Sequence, residues 1–493
     1  MNHAHSIKTF IRHLGVLAGI AAAVATSPAQ TLSESGRHAS APGDVASMPV
    51  MSIDDLPDPK PRDVAAMLSL LGNFSLQTIA VPDAEVPFAF EAHLTLDGQP
   101  ITLQLAQHSV RGAGFNVFLE MGPGETVVLD PGPVRTYRGD VAEMPGSIVS
   151  ATLFRGGNLT ARIATPDGNV WWVEQLNELG VGMHVVYKGT DLIPQQHSRC
   201  GVDDHDTSPA HQEIPGGYSP RTSVVQAVLG FEGDYEYVNS WGNGSVAEIE
   251  GIVNDDNVIY EAETSICHRI RAIGLWGSDI DPYYNDDAST ILNAFKDSWN
   301  NQAPMSTDFR HAAQLISGKD FNGNTVGLAK VSGIAGCQIN DTADHSNGYS
   351  IIESLLMRSR RVANSCHELG HNWGASHCDG DSTCGIMNSS MDPWPIPGRT
   401  SFGSTSANVI ITTRQSLEAC TRDCDFTPND AVCTSYCFFP TASAAHASAA
   451  LGATIRFYPR GLRDNAVGTY NEQFRWTRPM TLTAPQGVVV IGR

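Results

Sequence analysis

The sequence predicts an α/β or α+β unit in the middle of a 493-residue chain, with β-rich segments on both sides. Three observations carry this prediction. From about 224 to 424, strand-like runs are interleaved with helix-like ones. From Phe88 to Lys188, short alternating or β-branched runs are separated by turn residues. The string from His367 to His377 places three histidines and a glutamate at the end of the last helix-like run.

Residues 1–29 read as an export signal. Lys8 and Arg12 supply a positive start, Leu14 to Ala25 an apolar run, and Ser27-Pro28-Ala29 small residues for cleavage. A membrane anchor is the alternative, but the run is shorter than the ~20 residues a spanning helix needs. Residues 30 to 65 are rich in Ser, Ala, Pro and Asp and read as a leader. The β-rich segment includes the alternating Ile101 to Leu105, and Asp167-Gly168 joins Ala161–Ala164 to Val170–Val173 as a hairpin. Residues 189–220 have linker composition. In the central unit, Val224 to Phe231 and Thr325 to Val331 read as strands. Val246 to Ile270 and Ala288 to Trp299 read as helices, and Tyr349 to Gly374 as one or two helices. Phe426 to Thr441 is a Cys- and Pro-bearing joint, and the last stretch returns to strand character, with the look of one rung of a parallel β-helix.

Composition excludes several classes. A chain that is 41% hydrophobic and 17% charged can bury real cores, so it is not globally disordered. Its formal net charge of −21 argues against a general nucleic-acid surface and against attraction to anionic membranes. No internal apolar run is long enough to span a bilayer. Of the 10 cysteines, Cys200 alone precedes residue 260, and an exported chain with one isolated cysteine needs an explanation.

The chemistry concentrates in His367-Glu368-Leu369-Gly370-His371-Asn372-Trp373-Gly374-Ala375-Ser376-His377. Positions i and i+4 share one helix face, so His367 and His371 can meet one ion. Gly374 lets the backbone leave the helix without a Cβ penalty, and His377 can swing back as third ligand. Three histidines with an open water position suit catalytic zinc rather than a closed structural site. Glu368 is placed to take a proton from the ion's water and to pass it to a leaving amine. A coincidental polar helix is the alternative, but five fixed positions make it rare. Met387 follows ten residues after His377 and can form an apolar floor under the rings, or be ordinary core.

Motif and methionine together resemble the metzincin zinc peptidases, and His-Glu-Leu-Gly-His-Asn resembles their reprolysin (adamalysin, ADAM-like) branch. Ala313 to Gly323 and Thr325 to Val331, ahead of Cys337, resemble that branch too. The resemblance covers about residues 222 to 424. It implies a twisted sheet with the active-site helix beneath it, and a lower part running from Gly374 through Met387. Ser389 stands where astacins carry tyrosine, which argues against that branch. Thr136 to Ser147 and Gly156 to Thr160 resemble a reprolysin propeptide. Arg199-Cys200-Gly201-Val202 resembles a cysteine switch, in which the thiolate holds the zinc and keeps the enzyme latent; pairing of Cys200 with another cysteine is the alternative. The family's calcium-binding aspartate is replaced by His311, which puts a Ca2+ site in doubt. Cys378 intervenes before Asp379, and a disulfide, for instance to Cys384, is expected rather than a metal ligand.

The expected organisation is a signal peptide (1–29), a β-rich propeptide (30–221), a zinc peptidase domain (222–425) and a linker with a short β-rich tail (426–493). The expected function is a secreted zinc endopeptidase made as a zymogen. It would act on protein or peptide substrates, with its own propeptide as inhibitor, no nucleic-acid partner and no membrane span. A secreted zinc-bearing adhesin with little hydrolysis is the alternative.

Overall fold

In a computed structural model, the described residues are 48–418 without 83–85, 123, 195–197, 203–223, 303, 308–309, 332, 336–347, 380, 382–383 and 391–400. Four short strands follow: Thr454–Arg456, Gly468–Tyr470, Thr481–Thr483 and Val489–Ile491. The expected export signal and the 426–441 joint lie outside the described residues.

The leading segment, residues 48–202, is built almost wholly of strands. In chain order they are β1 (Val50–Ser52), β2 (Ser75–Thr78), β3 (Ala89–Leu96), β4 (Gln99–Gln107), β5 (Arg111–Gly122) and β6 (Glu125–Asp130). There follow β7 (Thr136–Val141), β8 (Met144–Phe154), β9 (Asn158–Ala164), β10 (Val170–Gln175), β11 (Met183–Lys188) and β12 (Arg199–Cys200). Eight of them form an antiparallel sheet in the order β2-β11-β10-β9-β8-β7-β4-β3. Period-2 alternation explains its buried face: Ala92, Leu94 and Leu96 pack with Ile101, Leu103 and Leu105. The Asp167-Gly168 hairpin forms as expected between β9 and β10, with Trp171 opposite Ile163 and Gly168 at φ 86°.

The second segment adds β13 (Val225–Gly233), β14 (Ile266–Trp276), β15 (Ala312–Ser317), β16 (Thr325–Ala329) and β17 (Tyr349–Glu353). Its helices are α1 (Tyr235–Trp241), α2 (Ser245–Thr264), α3 (Ala288–Asn301), α4 (Arg358–Asn372) and α5 (Gly403–Glu418). These strands join four from the leading segment in one nine-stranded sheet, ordered β1-β6-β5-β14-β13-β15-β17-β16-β12. β13 runs parallel to β14 and β15, β15 parallel to β17, and β16 antiparallel to β17. Residues of β13, β15 and β17 are buried on both faces of the sheet, so these strands read as nearly continuous apolar runs.

Two expected helices differ. The first ends at Thr264, not Ile270, because Ser265 turns left-handed (φ 54°) and the β-branched run from Ile266 pairs with β13. Tyr349–Glu353 is a central strand and helix starts only at Arg358. A short apolar run buried on both faces carries no period that separates strand from helix. The Ala288 helix extends to Asn301. Asp287 caps it by accepting the Thr290 N–H at 2.8 Å, and Ile291, Leu292, Phe295 and Trp299 form its buried stripe.

α2 is buried on nearly every side, polar residues included, because both sheets pack on it. Glu248 pairs with Arg361 at 2.8 Å and with Arg358 at 2.5 Å, and Asp255 pairs with Arg358 at 3.0 Å. In the tail, Thr454–Arg456 pairs parallel with Thr481–Thr483, and Gly468–Tyr470 parallel with Val489–Ile491. Among the described residues no helix is long and apolar enough to cross a membrane.

Candidate metal centre

α4 carries the first two histidines. Its whole length is buried, and it ends at Asn372. Gly374, at φ 93°, reverses the chain. The Ala375 N–H then closes on the Gly370 carbonyl at 3.0 Å. This turn brings His377 back to the helix face. His371 Nε2 lies 3.0 Å from His367 Nε2 and 3.2 Å from His377 Nε2. Donors around a tetrahedral ion with bonds of ~2.0–2.1 Å lie roughly 3.3 Å apart, so this spacing fits a zinc-sized ion.

The ring orientation is fixed from behind. His367 Nδ1 is 2.6 Å from the Ile386 carbonyl, and His371 Nδ1 is 2.7 Å from the Ala375 carbonyl. A carbonyl oxygen only accepts, so each Nδ1 carries the hydrogen and each Nε2 presents a lone pair. Burial holds both rings neutral: His367 is pushed down to about 3 by desolvation and then by His377, and His371 falls well below its ordinary value for the same reasons. Lone pairs crowded at this distance repel unless a cation lies between them, and neutral imidazoles are the protonation state such a cation needs.

Cys200 reaches this point from the leading segment. Its sulfur is 3.5 Å from His371 Nε2, it is buried, and it is a thiol rather than half of a disulfide. Cys200, His367, His371 and His377 offer ligand atoms that all lie within 4.8 Å of one another. β12 sits at the sheet edge, parallel to β16. The Arg199 N–H donates to the Asn324 carbonyl at 2.7 Å, and the Gly201 N–H to the Gly327 carbonyl at 2.9 Å. On the other side the Cys200 N–H donates to the Ser389 carbonyl at 3.1 Å. The thiol segment therefore lies between two walls, β16 and residues 389–390.

Glu368 is fully buried beside the first histidine. Burial pushes its carboxyl up to about 8, and the Cys200 thiol opposes that shift. A Cβ on Gly327 would stand 2.4 Å from Glu368 Oε1 and 2.5 Å from Asn364 Oδ1, so β16 passes over the glutamate only because it has no side chain there. Asn364 fastens the same strand to α4, donating to the Val326 carbonyl at 2.6 Å.

Met387 is fully buried under the helix. A Cβ on Gly370 would come within 2.5 Å of its sulfur, so the methionine occupies the space between the two helical histidines. Cys378 is bonded to Cys384, and the Cys378 N–H donates to the Met387 carbonyl at 3.1 Å. Asp379 accepts the Ser389 N–H at 2.7 Å, which ties the far wall to the third histidine.

His311 is buried elsewhere. Its Nδ1 accepts the Val228 N–H at 2.9 Å, and desolvation lowers it to about 4. His184 and His268 are hydrogen-bonded core residues, to Leu159 and Trp373 respectively. His197, His205 and His211 lie outside the described residues. Gly327 and Asn364 were missed by sequence reasoning. Asn364 stands one turn before Glu368 on the same face, which is the signal that could have found it.

Residues 222–413 match the family model Reprolysin_5, metallo-peptidase family M12. The chain is 32% identical over 138 residues to the zinc metalloproteinase-disintegrin-like atragin of Naja atra, a match covering 27% of this chain and 21% of that protein. It thus spans about a fifth of the length of this curated relative. The crystal structure of metalloproteinase-II from Bacteroides fragilis aligns with 74% of this chain and 98% of its own, at 14% identity and a TM-score of 0.41.

Proposed function

We propose that this chain, whose residues 222–413 match the model of metallo-peptidase family M12, is a secreted zinc-dependent endopeptidase of the reprolysin type made in latent form. One observation supports the reading most directly: the Nε2 atoms of His367 and His377 lie 3.0 and 3.2 Å from His371 Nε2, with a buried glutamate alongside.

His367, His371 and His377 would hold the ion. A bound zinc ion supplies Lewis-acid polarisation of a carbonyl and acidifies water. The residues do the rest. Glu368 accepts a proton from the attacking water and delivers it to the leaving nitrogen, so no covalent acyl intermediate is needed. Burial favours the neutral carboxyl, which suits the second, donating half of that cycle. β16 and the 389–390 segment offer backbone partners to an extended peptide, in the place where Cys200 now lies. Met387 fills the floor, and Gly374 sets the reversal that returns His377.

Latency follows from the thiol. Cys200 supplies the fourth donor of the cluster, where it would keep water and substrate from the three histidines. Residues 30–221 are on this reading a propeptide behind an export signal at 1–29. The test is casein cleavage by the processed protein, with bound zinc counted in parallel. Cleavage that disappears with a chelator and with Glu368→Ala, at unchanged zinc content in the variant, supports the reading. A zinc-loaded, processed protein that leaves a broad peptide library intact would favour the adhesin instead.

A further inference from the structure

We propose that the leading segment, residues 48–202, remains bound to residues 224–418 as a separate chain after the peptide between them is cut, because it grips that unit at three places that do not involve Cys200. The closing of the site rests on the latent-peptidase reading; the binding itself does not.

The first grip is a sheet edge. β5 pairs in parallel with β14, Asn116 to Glu120 against Ala272 to Trp276. β14 is an eleven-residue strand, buried almost throughout. Without β5, its outer row of backbone donors and acceptors would lie open, and long exposed edges recruit other strands. The occupant here is the chain's own β5, so one sheet has leading-segment strands at both ends: β5 beyond β14, and β12 beyond β16.

The second grip is the outward face of α2. Arg138 donates from Nε to Asn254 Oδ1 and from Nη2 to the Asn254 carbonyl, each at 2.7 Å. Asn254 returns a hydrogen bond to the Tyr137 carbonyl at 2.9 Å, and Ser150 donates to Asp255 at 2.6 Å. Arg111 forms an ion pair with Glu250. Pulling the segments apart leaves these polar groups without their partners, which is costly for groups shaped to be buried.

The third grip is the start of α4. Its N-cap residue, Met357, offers no side-chain acceptor. The acceptor comes from β10 instead: Glu174 takes the Arg358 N–H at 3.0 Å. Its carboxylate is fully buried and is also held by Arg62 at 2.9 Å and the Tyr187 hydroxyl at 2.7 Å. A carboxylate at a helix N-terminus satisfies an orphan donor and meets the positive end of the dipole. The helix that carries His367 and His371 is thus capped by the segment that supplies Cys200.

Three joined contacts hold together through effective concentration, so breaking one does not free the others. A single cut in 203–223 would leave the site blocked, and activation would require destruction of the leading segment itself.

The experiment places a recognition sequence for a site-specific protease within residues 209–214 of the full-length protein. The folded protein is cut, then run by size exclusion at low micromolar concentration. Expected are both fragments in one peak, the same for Cys200→Ala, and casein cleavage no higher than before the cut. Arg138→Ala should weaken the cut pair by about tenfold or more in a dilution series. Separation of the wild-type fragments overturns the proposal. So does separation in Cys200→Ala alone, which would make the thiol the only hold. If no form ever cleaves casein, the peptidase reading fails on that readout, while the elution profile still decides this inference.

Discussion

The sulfur of Cys200 lies 3.5 Å from Nε2 of His371, across 171 residues of chain. With the ligand nitrogens of His367 and His377 also within 4.8 Å, the buried thiol completes a four-donor set. It also fixes what a metal, a mutation or a protease can do there.

Replacing Cys200 by alanine removes the fourth donor of the cluster. If the thiol imposes latency as proposed, the intact variant should cleave a short peptide at least about tenfold faster than the intact wild-type chain, while its unfolding midpoint stays close to wild type. β12 still lines the cleft, so large substrates should gain less than small ones. Equal, undetectable cleavage by both proteins, with zinc bound, would remove the thiol from the latency mechanism.

Glu368→Gln preserves shape and removes the proposed proton carrier. In processed protein kcat should fall by roughly 10²–10⁴, with little change in KM and one zinc still bound. Loss of zinc in this variant would instead make the glutamate part of the metal's support.

Gly327→Ala forces a methyl group to within 2.4 Å of Glu368 Oε1 and 2.5 Å of Asn364 Oδ1. Either the carboxylate or β16 must shift. Activity should drop at least about tenfold, and stability should fall by about 1–3 kcal/mol, the usual range for overpacking. Steady-state kinetics and urea unfolding read the two effects separately. An active, equally stable variant would mean that β16 stands further from the helix.

Glu232 gives a pH prediction away from the metal site. It is fully buried and accepts from Trp276, Tyr283 and Trp299, but desolvation outweighs those bonds and raises it from 4.5 to about 7. The folded protein therefore keeps a proton that the unfolded chain releases between those values. The stability this group contributes is full below about 4.5 and is lost as pH rises through about 7. Tm should fall by a few degrees from pH 5 to pH 8, and Glu232→Gln should flatten that slope. A wild-type Tm that rises over this range would contradict the assignment.

The meeting of the three histidines was legible because their spacing is local: an i, i+4 pair on a helix, and a glycine that returns the third histidine within six residues. The strands of the leading segment were legible from alternation, and α3 from its apolar stripe. What stayed hidden is what depends on distant partners. Tyr349 to Glu353 is covered on both faces, which erases the period that would mark it as a strand. α2 reads as an ordinary acidic helix, yet Glu248, Asp255 and Asp256 are buried among partners brought from elsewhere in the chain. Asp256 shows how far that goes: burial raises its carboxyl to about 8, against hydrogen bonds from Ser365 and Cys366. The cap that Glu174 gives to α4 spans 184 residues, and no pattern within either segment announces it.

One wall of the cleft is fastened to α4 twice. Asn364 holds the Val326 carbonyl near the helix middle, and at its end Asn372 donates to the carbonyls of Lys330 and Tyr349, both at 3.0 Å. That side and the histidines consequently move as one rigid body. Any widening needed to admit a bulky residue falls to the opposite flank, whose shape is braced by the Cys378–Cys384 crosslink. A reducing milieu should therefore loosen that flank while leaving the three clustered histidines in place.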